Sequence, residues 1–160
     1  MRYMIVALLI LGTLVLGCSK KEIKAETQVD LSIEPSGYYW INLMPVIPKQ
    51  GPSFHTMFKI KVTNSGKTIV KNVKAVSAVI YTFSDEEEKK LGTMELEPSP
   101  STPTENSLLP GEFIDLDFGG SFPGATHVTP GMTVYGNVFI VWDGGHTTVA
   151  SLPDKVIATH

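Results

Sequence analysis

Cysteine is nearly absent: one residue, Cys18, in a chain of 160. A lone thiol excludes an intrachain disulfide framework and any zinc site built from several cysteines. Basic excess is also missing. The 13 Lys+Arg face 16 Asp+Glu, a net charge of −3, and a nucleic-acid binder would show a basic stripe instead. No window of twelve residues carries helical periodicity free of Gly, Pro and β-branched breaks. There is no Gly-x-Ser-x-Gly elbow, no His-Glu-x-x-His, no P-loop and no dinucleotide fingerprint. The expectation is therefore no enzyme and no cofactor. Disorder is excluded as well, because 42% of residues are hydrophobic and 18% charged. The length suits one domain.

The front of the chain has a different character. Arg2 gives a positive start, and Met4 to Leu16 is apolar apart from Gly12 and Thr13. That run is short for a membrane span, which needs about 20 apolar residues, and suits a signal-peptide core. It closes on Leu14-Val15-Leu16-Gly17-Cys18. The pattern resembles a bacterial lipobox. The resemblance implies thioether lipidation of Cys18, cleavage after Gly17 and acylation of the new amino group. Two or more acyl chains anchor stably where one is marginal. Residues 1–17 are then address, 18–28 a lipidated polar tether and 29–160 the domain. Removing Arg2 leaves 12 Lys+Arg against 16 Asp+Glu, a net of −4. The expected location is the cell envelope, bound to the membrane through Cys18. In a diderm cell that is the outer membrane facing the periplasm; otherwise it is the cell membrane.

The body of the chain alternates as strands do. Phe54, Thr56, Phe58, Ile60 and Val62 fall on one face, with His55, Met57, Lys59 and Lys61 on the other. Asn64 to Lys67 reads as a turn. Val70 to Phe83 reads as a strand with Val73, Ala75, Val79, Tyr81 and Phe83 on one face. Asp85 to Lys90 reads as a charged loop, and Leu91 to Leu96 as a short strand. Glu97 to Pro110 holds four prolines and reads as a loop or edge crossing. Glu112 to Phe118 is a strand with Ile114, Leu116 and Phe118 inward, followed by a loop over 119–131. Met132 to Trp142 and His146 to Leu152 form a hairpin around Asp143-Gly144-Gly145. Val29 to Ile33 opens the domain. About seven strands with turn signals between them predict an all-β, immunoglobulin-like sandwich.

The middle of the chain sharpens this. Asn64, Gly66, Asn72-Val73, Tyr81, Phe83 and Pro110-Gly111-Glu112 resemble the outline of FxLYD-type and related bacterial Ig-like domains of envelope lipoproteins. The likeness spans about sixty residues, mostly turn and core positions, so it implies fold rather than activity. The segment 36–53 and the Pro/Ser/Thr insert at 98–107 depart from that outline.

Candidate sites are few. Tyr38-Tyr39-Trp40 can form a partner-binding face, because aromatics give rigid contact area; packing over the end of the sandwich is the alternative. His55 and Met57 share a strand face, and soft Met and His donors suit copper(I); a half-exposed strand face is the plainer reading, and no metal site is assigned. Asp115, Asp117 and Glu112 alternate as on a solvated face. The expected function is a non-catalytic, lipid-anchored envelope protein that binds a protein partner as accessory or adaptor module. A small-ligand or copper-binding envelope protein is the alternative, and a hydrolase with an unrecognised site the third reading.

Overall fold

The computed structural model describes residues 29–43, 51–84 and 87–159. Residues 1–28, where the signal sequence, Cys18 and the tether are expected, lie outside the described residues. The protein is all-β: the described residues contain no helix. Two sheets face each other. One has the order β12-β1-β2-β8-β6, the other β10-β9-β4-β5. The long strands are β1 (Leu31–Asn42), β2 (Ser53–Asn64), β4 (Lys74–Ser84), β5 (Glu87–Glu95), β8 (Phe113–Phe122), β9 (Thr133–Trp142) and β10 (Gly145–Ala150). They match the expected count of about seven. Short strands β3 (Val70–Lys71), β6 (Glu97–Pro98), β7 (Ser107–Leu108), β11 (Asp154–Lys155) and β12 (Ile157–Thr159) complete the chain. The orders β1-β2-β8-β6 and β10-β9-β4-β5 reproduce the A-B-E-D and G-F-C-C′ arrangement of an immunoglobulin-type sandwich.

The alternation of β2 explains the core. Phe54, Phe58, Ile60 and Val62 are each 2% exposed or less. They meet Leu116 and Phe118 of β8 on their own sheet and Ile80, Val138 and Ile140 from the other. Burying each such side chain contributes about 1.5–3 kcal/mol.

Four strand expectations need correction, each for a local reason. First, the opening strand does not stop at Ile33. It continues to Asn42 because Tyr39 and Ile41 supply two more fully buried positions at the strand period. Second, β4 changes face partway. A bulge between Ala75 and Ser77 leaves Val76 without a partner on β9. Val73 and Ala75 point inward before it, and Ala78, Ile80 and Thr82 after it, so Tyr81 and Phe83 lie outside. Third, the charged run is not all loop. Glu87 to Lys90 pairs with Tyr81 to Ser84 as the start of β5, where all four side chains are exposed on an edge strand; Asp85 and Glu86 lie outside the described residues. Fourth, β8 runs through Gly119-Gly120 to Phe122. A Cβ on Gly120 would sit 2.7 Å from the Glu95 carbonyl and 2.7 Å from Met94 Sδ. Glycine here lets the end of β5 pack directly onto β8.

Asn64, Asn72 and Pro110-Gly111-Glu112 of the FxLYD-type outline build one end of the sandwich, while Tyr81 and Phe83 stack on Tyr135 toward the end of β4. Asn64 is fully buried. Its Nδ2 donates to the carbonyls of Thr68 (2.8 Å) and Leu108 (2.9 Å), and its Oδ1 accepts from the Gly66 N–H. The turn at Pro110-Gly111-Glu112 closes when the Glu112 carboxylate accepts from the Leu109 N–H. Asn72 holds φ +56°, and its Nδ2 donates to Asp143 at 2.9 Å. These asparagines work because one short amide both donates and accepts.

The Pro/Ser/Thr insert acts as a seal. Thr102 Oγ1 accepts from the Asp117 N–H (2.9 Å) and donates to the Asp117 carbonyl (2.7 Å), as a neighbouring strand would. Asn106 does the same for Val73, with both bonds at 2.9 Å. Backbone left open beside β8 and before β4 is satisfied by these two side chains.

Candidate functional site

The sequence offers two separate candidates, the aromatic triplet and the His55/Met57 pair. The fold brings them together. Tyr38 lies opposite Met57 on β2, which lies opposite Gly119 on β8, which lies opposite Glu97 on β6. The next row is Trp40, His55 and Ser121. Both rows point out of the sheet, away from the core.

The rings stand in a stack. Tyr38 and Trp40 centroids are 5.5 Å apart at 41°, and Trp40 and His55 are 5.4 Å apart at 11°. Tyr38 is 52% exposed. Beside the stack the sheet surface drops, because Gly119, opposite Met57, carries no side chain. The result is an open trough of about 710 Å³. Trp40, His55 and Met57 form one wall, and Glu95, Glu97 and Ser99 of the β5–β6 crossing line the other side.

Burial lowers the His55 pKa below its ordinary value, which keeps the imidazole neutral near pH 7. The neutral ring can accept or donate one hydrogen bond from the trough wall. Ser121 of β8 lies opposite it in the register. Among the described residues, no cluster of three or more His, Cys, Asp or Glu side chains could hold a metal ion. His55 and Met57 are two donors on one strand face, and Met44 lies outside the described residues.

Tyr39 does not belong to this face. It alternates inward, is fully buried, and packs against Phe54 and Phe58 at 6.1 and 5.9 Å. Its hydroxyl meets Ser151 Oγ at 2.6 Å, and Ser151 Oγ accepts the Gly136 N–H at 3.0 Å. Burial pushes the Tyr39 pKa up to about 12, with the Asp154 carboxylate adding in the same direction. Of the aromatic triplet, only Tyr38 and Trp40 share this outer face, with His55 and Met57 added from the next strand.

No family model matches this chain, and no curated protein matches it. Several solved structures are similar to it. One is a Northeast Structural Genomics Consortium target, SoR45, at 16% identity and TM-score 0.41, covering 79% of this chain and 86% of that one. Another is a putative ApaA protein from Bordetella pertussis, at 18% identity and TM-score 0.38, covering 82% and 96%. The third is Spo0M, a sporulation control protein from Bacillus subtilis, at 14% identity and TM-score 0.36, covering 79% and 50%. Likenesses this remote say nothing about what the chain does.

The rest of the outer face is chemically plain. Lys59 lies opposite Asp117, and Lys61 opposite Asp115. Such opposed charges contribute about 0.2–1 kcal/mol per pair. Lys61 also covers the Phe113 ring, 5.1 Å from its centroid. This half is a solvated strand face, as the alternation of Asp115 and Asp117 suggests. The sheet therefore carries an aromatic half and a charged half, where Lys59 and Lys61 stand opposite Asp117 and Asp115. The trough itself was not legible in the sequence, because it depends on β8 running straight through the double glycine.

Proposed function

We propose that this chain is a lipid-anchored bacterial envelope protein whose sandwich domain binds a protein partner without catalysis, as an accessory or adaptor module. The observation that carries the reading is the half-exposed Tyr38–Trp40–His55 stack beside an open trough. Rigid aromatic side chains with little entropy to lose are the usual anchors of protein interfaces. They stand on a sheet rather than on a loop, so they are held in place before binding. The lipobox at Leu14 to Cys18 supports anchoring. It tethers the domain to a membrane surface, where a partner would be met at high local concentration.

Two experiments test the two halves of this reading. Replacing Cys18 with Ser is expected to abolish metabolic labelling with a radiolabelled fatty acid; labelling that survives removes the anchor from the account. For the binding face, the double variant Tyr38→Ala/Trp40→Ala is expected to lose a reproducible cross-linked partner in intact cells, at an unchanged expression level. Undiminished cross-linking by this variant would move the interface elsewhere.

A further inference from the structure

The trough beside the Tyr38–Trp40–His55 stack has a charge as well as a shape. Its lining holds two carboxylate residues, Glu95 and Glu97, and neither lysine nor arginine. His55 adds no opposing charge near pH 7, because burial lowers its pKa. The other half of the same sheet face differs. There Asp115 and Asp117 stand opposite Lys61 and Lys59. Other carboxylates of the domain are occupied: Glu112 accepts from the Leu109 N–H, Glu88 from the Tyr135 hydroxyl and Asp143 from the Asn72 amide. Among the described residues, no hydrogen bond or ion pair engages the Glu97 carboxylate.

The backbone fixes where Glu97 stands. Glu97 pairs with Gly119, and Pro98 with Phe118, in the β6–β8 ladder. The Leu96 N–H donates to the Val76 carbonyl at 2.9 Å, and the Ser99 N–H to the Asp117 carbonyl at 2.8 Å. Paired residues of neighbouring strands project to the same face. Glu97 therefore closes the row that starts at Tyr38 and passes Met57 and Gly119. Three steps between strands, each about 4.8 Å, make that row about 14 Å long. A Cβ on Gly119 would find its nearest neighbours, Met57 Cε and the Thr56 carbonyl, only at 3.7 Å, so the floor has room. Met57 lays a soft, adaptable thioether beside it. The row thus runs from an aromatic ring, over an apolar floor, to a carboxylate.

We infer that the trough takes an arginine side chain presented by the protein partner. This rests on the proposed role of the aromatic face and names what the partner brings to it. The guanidinium pairs with Glu97, the aliphatic stem lies over Gly119 and Met57, and the chain that carries it rests against Tyr38 and Trp40. Arginine fits better than lysine here. Its planar fork matches a carboxylate, and it gives up less hydration on entering a partly apolar site. A neutral glycan could use the rings, but it would leave Glu97 without a counter-charge. The net charge of −3 favours the approach of a basic segment as well.

The test uses the full-length chain in detergent micelles and two capped peptides. They differ only at one central residue, arginine or its neutral isostere citrulline. Binding is read by NMR at the Trp40 indole N–H and the Met57 methyl. The arginine peptide is expected to bind about tenfold more tightly than the citrulline peptide, or better. Glu97→Lys should abolish its shifts, while Asp117→Asn on the charged half leaves them. Glu97 is exposed, so thermal unfolding of Glu97→Lys should match wild type. Equal affinity for the two peptides overturns the proposal, and so does undiminished arginine binding by Glu97→Lys. A neutral chito-oligosaccharide that shifts these resonances when the arginine peptide does not overturns it in favour of a glycan. In intact cells, Glu97→Lys should cut the adduct from a photoreactive residue at position 38 by about fivefold or more. An adduct that needs Trp40 but ignores Glu97→Lys leaves the proposed face standing and removes only the arginine. An adduct that ignores both removes the face, and the arginine with it.

Discussion

Replacing Tyr39 with Ala is expected to destabilise the domain by about 3–5 kcal/mol, while Tyr38→Ala costs about 1 kcal/mol or less. The two residues are neighbours in sequence and share a residue type, so the contrast isolates direction. Tyr39 fills the space between Phe54 and Phe58 and reaches Ser151 on the far side of the core. Truncation leaves a cavity and removes one partner of the buried Ser151 hydroxyl. Tyr38 gives up only its contact with Trp40. Chemical denaturation of the two variants reads the difference, and equal losses would show that the strand is not in this register. Alkaline pH offers a second reading. The Tyr39 pKa is about 12 folded against 10.0 as the ordinary value. A raised pKa means the neutral phenol is favoured by folding. Its contribution is therefore full below pH 10 and is lost as pH rises from 10 toward 12. Tyr39→Phe removes that part of the alkaline loss.

Asn64→Ala should cost about 2–4 kcal/mol, a large effect for a single amide. The side chain is fully buried and serves three backbone groups, the carbonyls of Thr68 and Leu108 and the N–H of Gly66. Deletion takes a side-chain donor from two carbonyls and an acceptor from one N–H at the end of the sandwich. The informative control is Asn64→Asp. A carboxylate can still accept from Gly66 but cannot donate to either carbonyl, so Asp should fail to rescue and should add the cost of a buried charge. Thermal unfolding of both variants checks this. Stability of Asn64→Asp close to wild type would refute the clamp.

These two residues also show how far the sequence could be read. Tyr39 stands in an aromatic run, and a run cannot say which member points inward; the register of β1 against β2 decides it. Strand alternation was plain at Phe54 to Val62 because nothing interrupts the period there. It misled at Val70 to Phe83, where the Val76 bulge reverses the face and no local residue announces it. Glu87 to Lys90 looked like a loop because charge and turn composition coincide, yet an edge strand tolerates the same residues. The Gly119-Gly120 pair looked like a break for the same kind of reason; the demand for glycine comes from β5, more than twenty residues away. Asn64 and the Pro-Gly-Glu turn were legible as turn residues, whereas Asn72 reads as part of the strand Val70 to Phe83 and instead, at φ +56°, separates β3 from β4. Thr102 and Asn106 were hidden, since their work depends on strands distant in sequence. The trough was hidden for a related reason, because its rows draw on β1, β2, β6 and β8 together.

The central claim is that the aromatic half of the β1-β2-β8 face meets a partner and the charged half does not. Photo-cross-linking in intact cells tests it most directly, with a photoreactive amino acid placed at Tyr38 in one strain and at Asp115 in another. Both positions lie on the same outer face, so anchoring, expression and crowding are matched. The account expects a discrete adduct from position 38, lost when Trp40→Ala is added, and none from position 115. Equal adducts from both positions, or an adduct from position 115 alone, would contradict it.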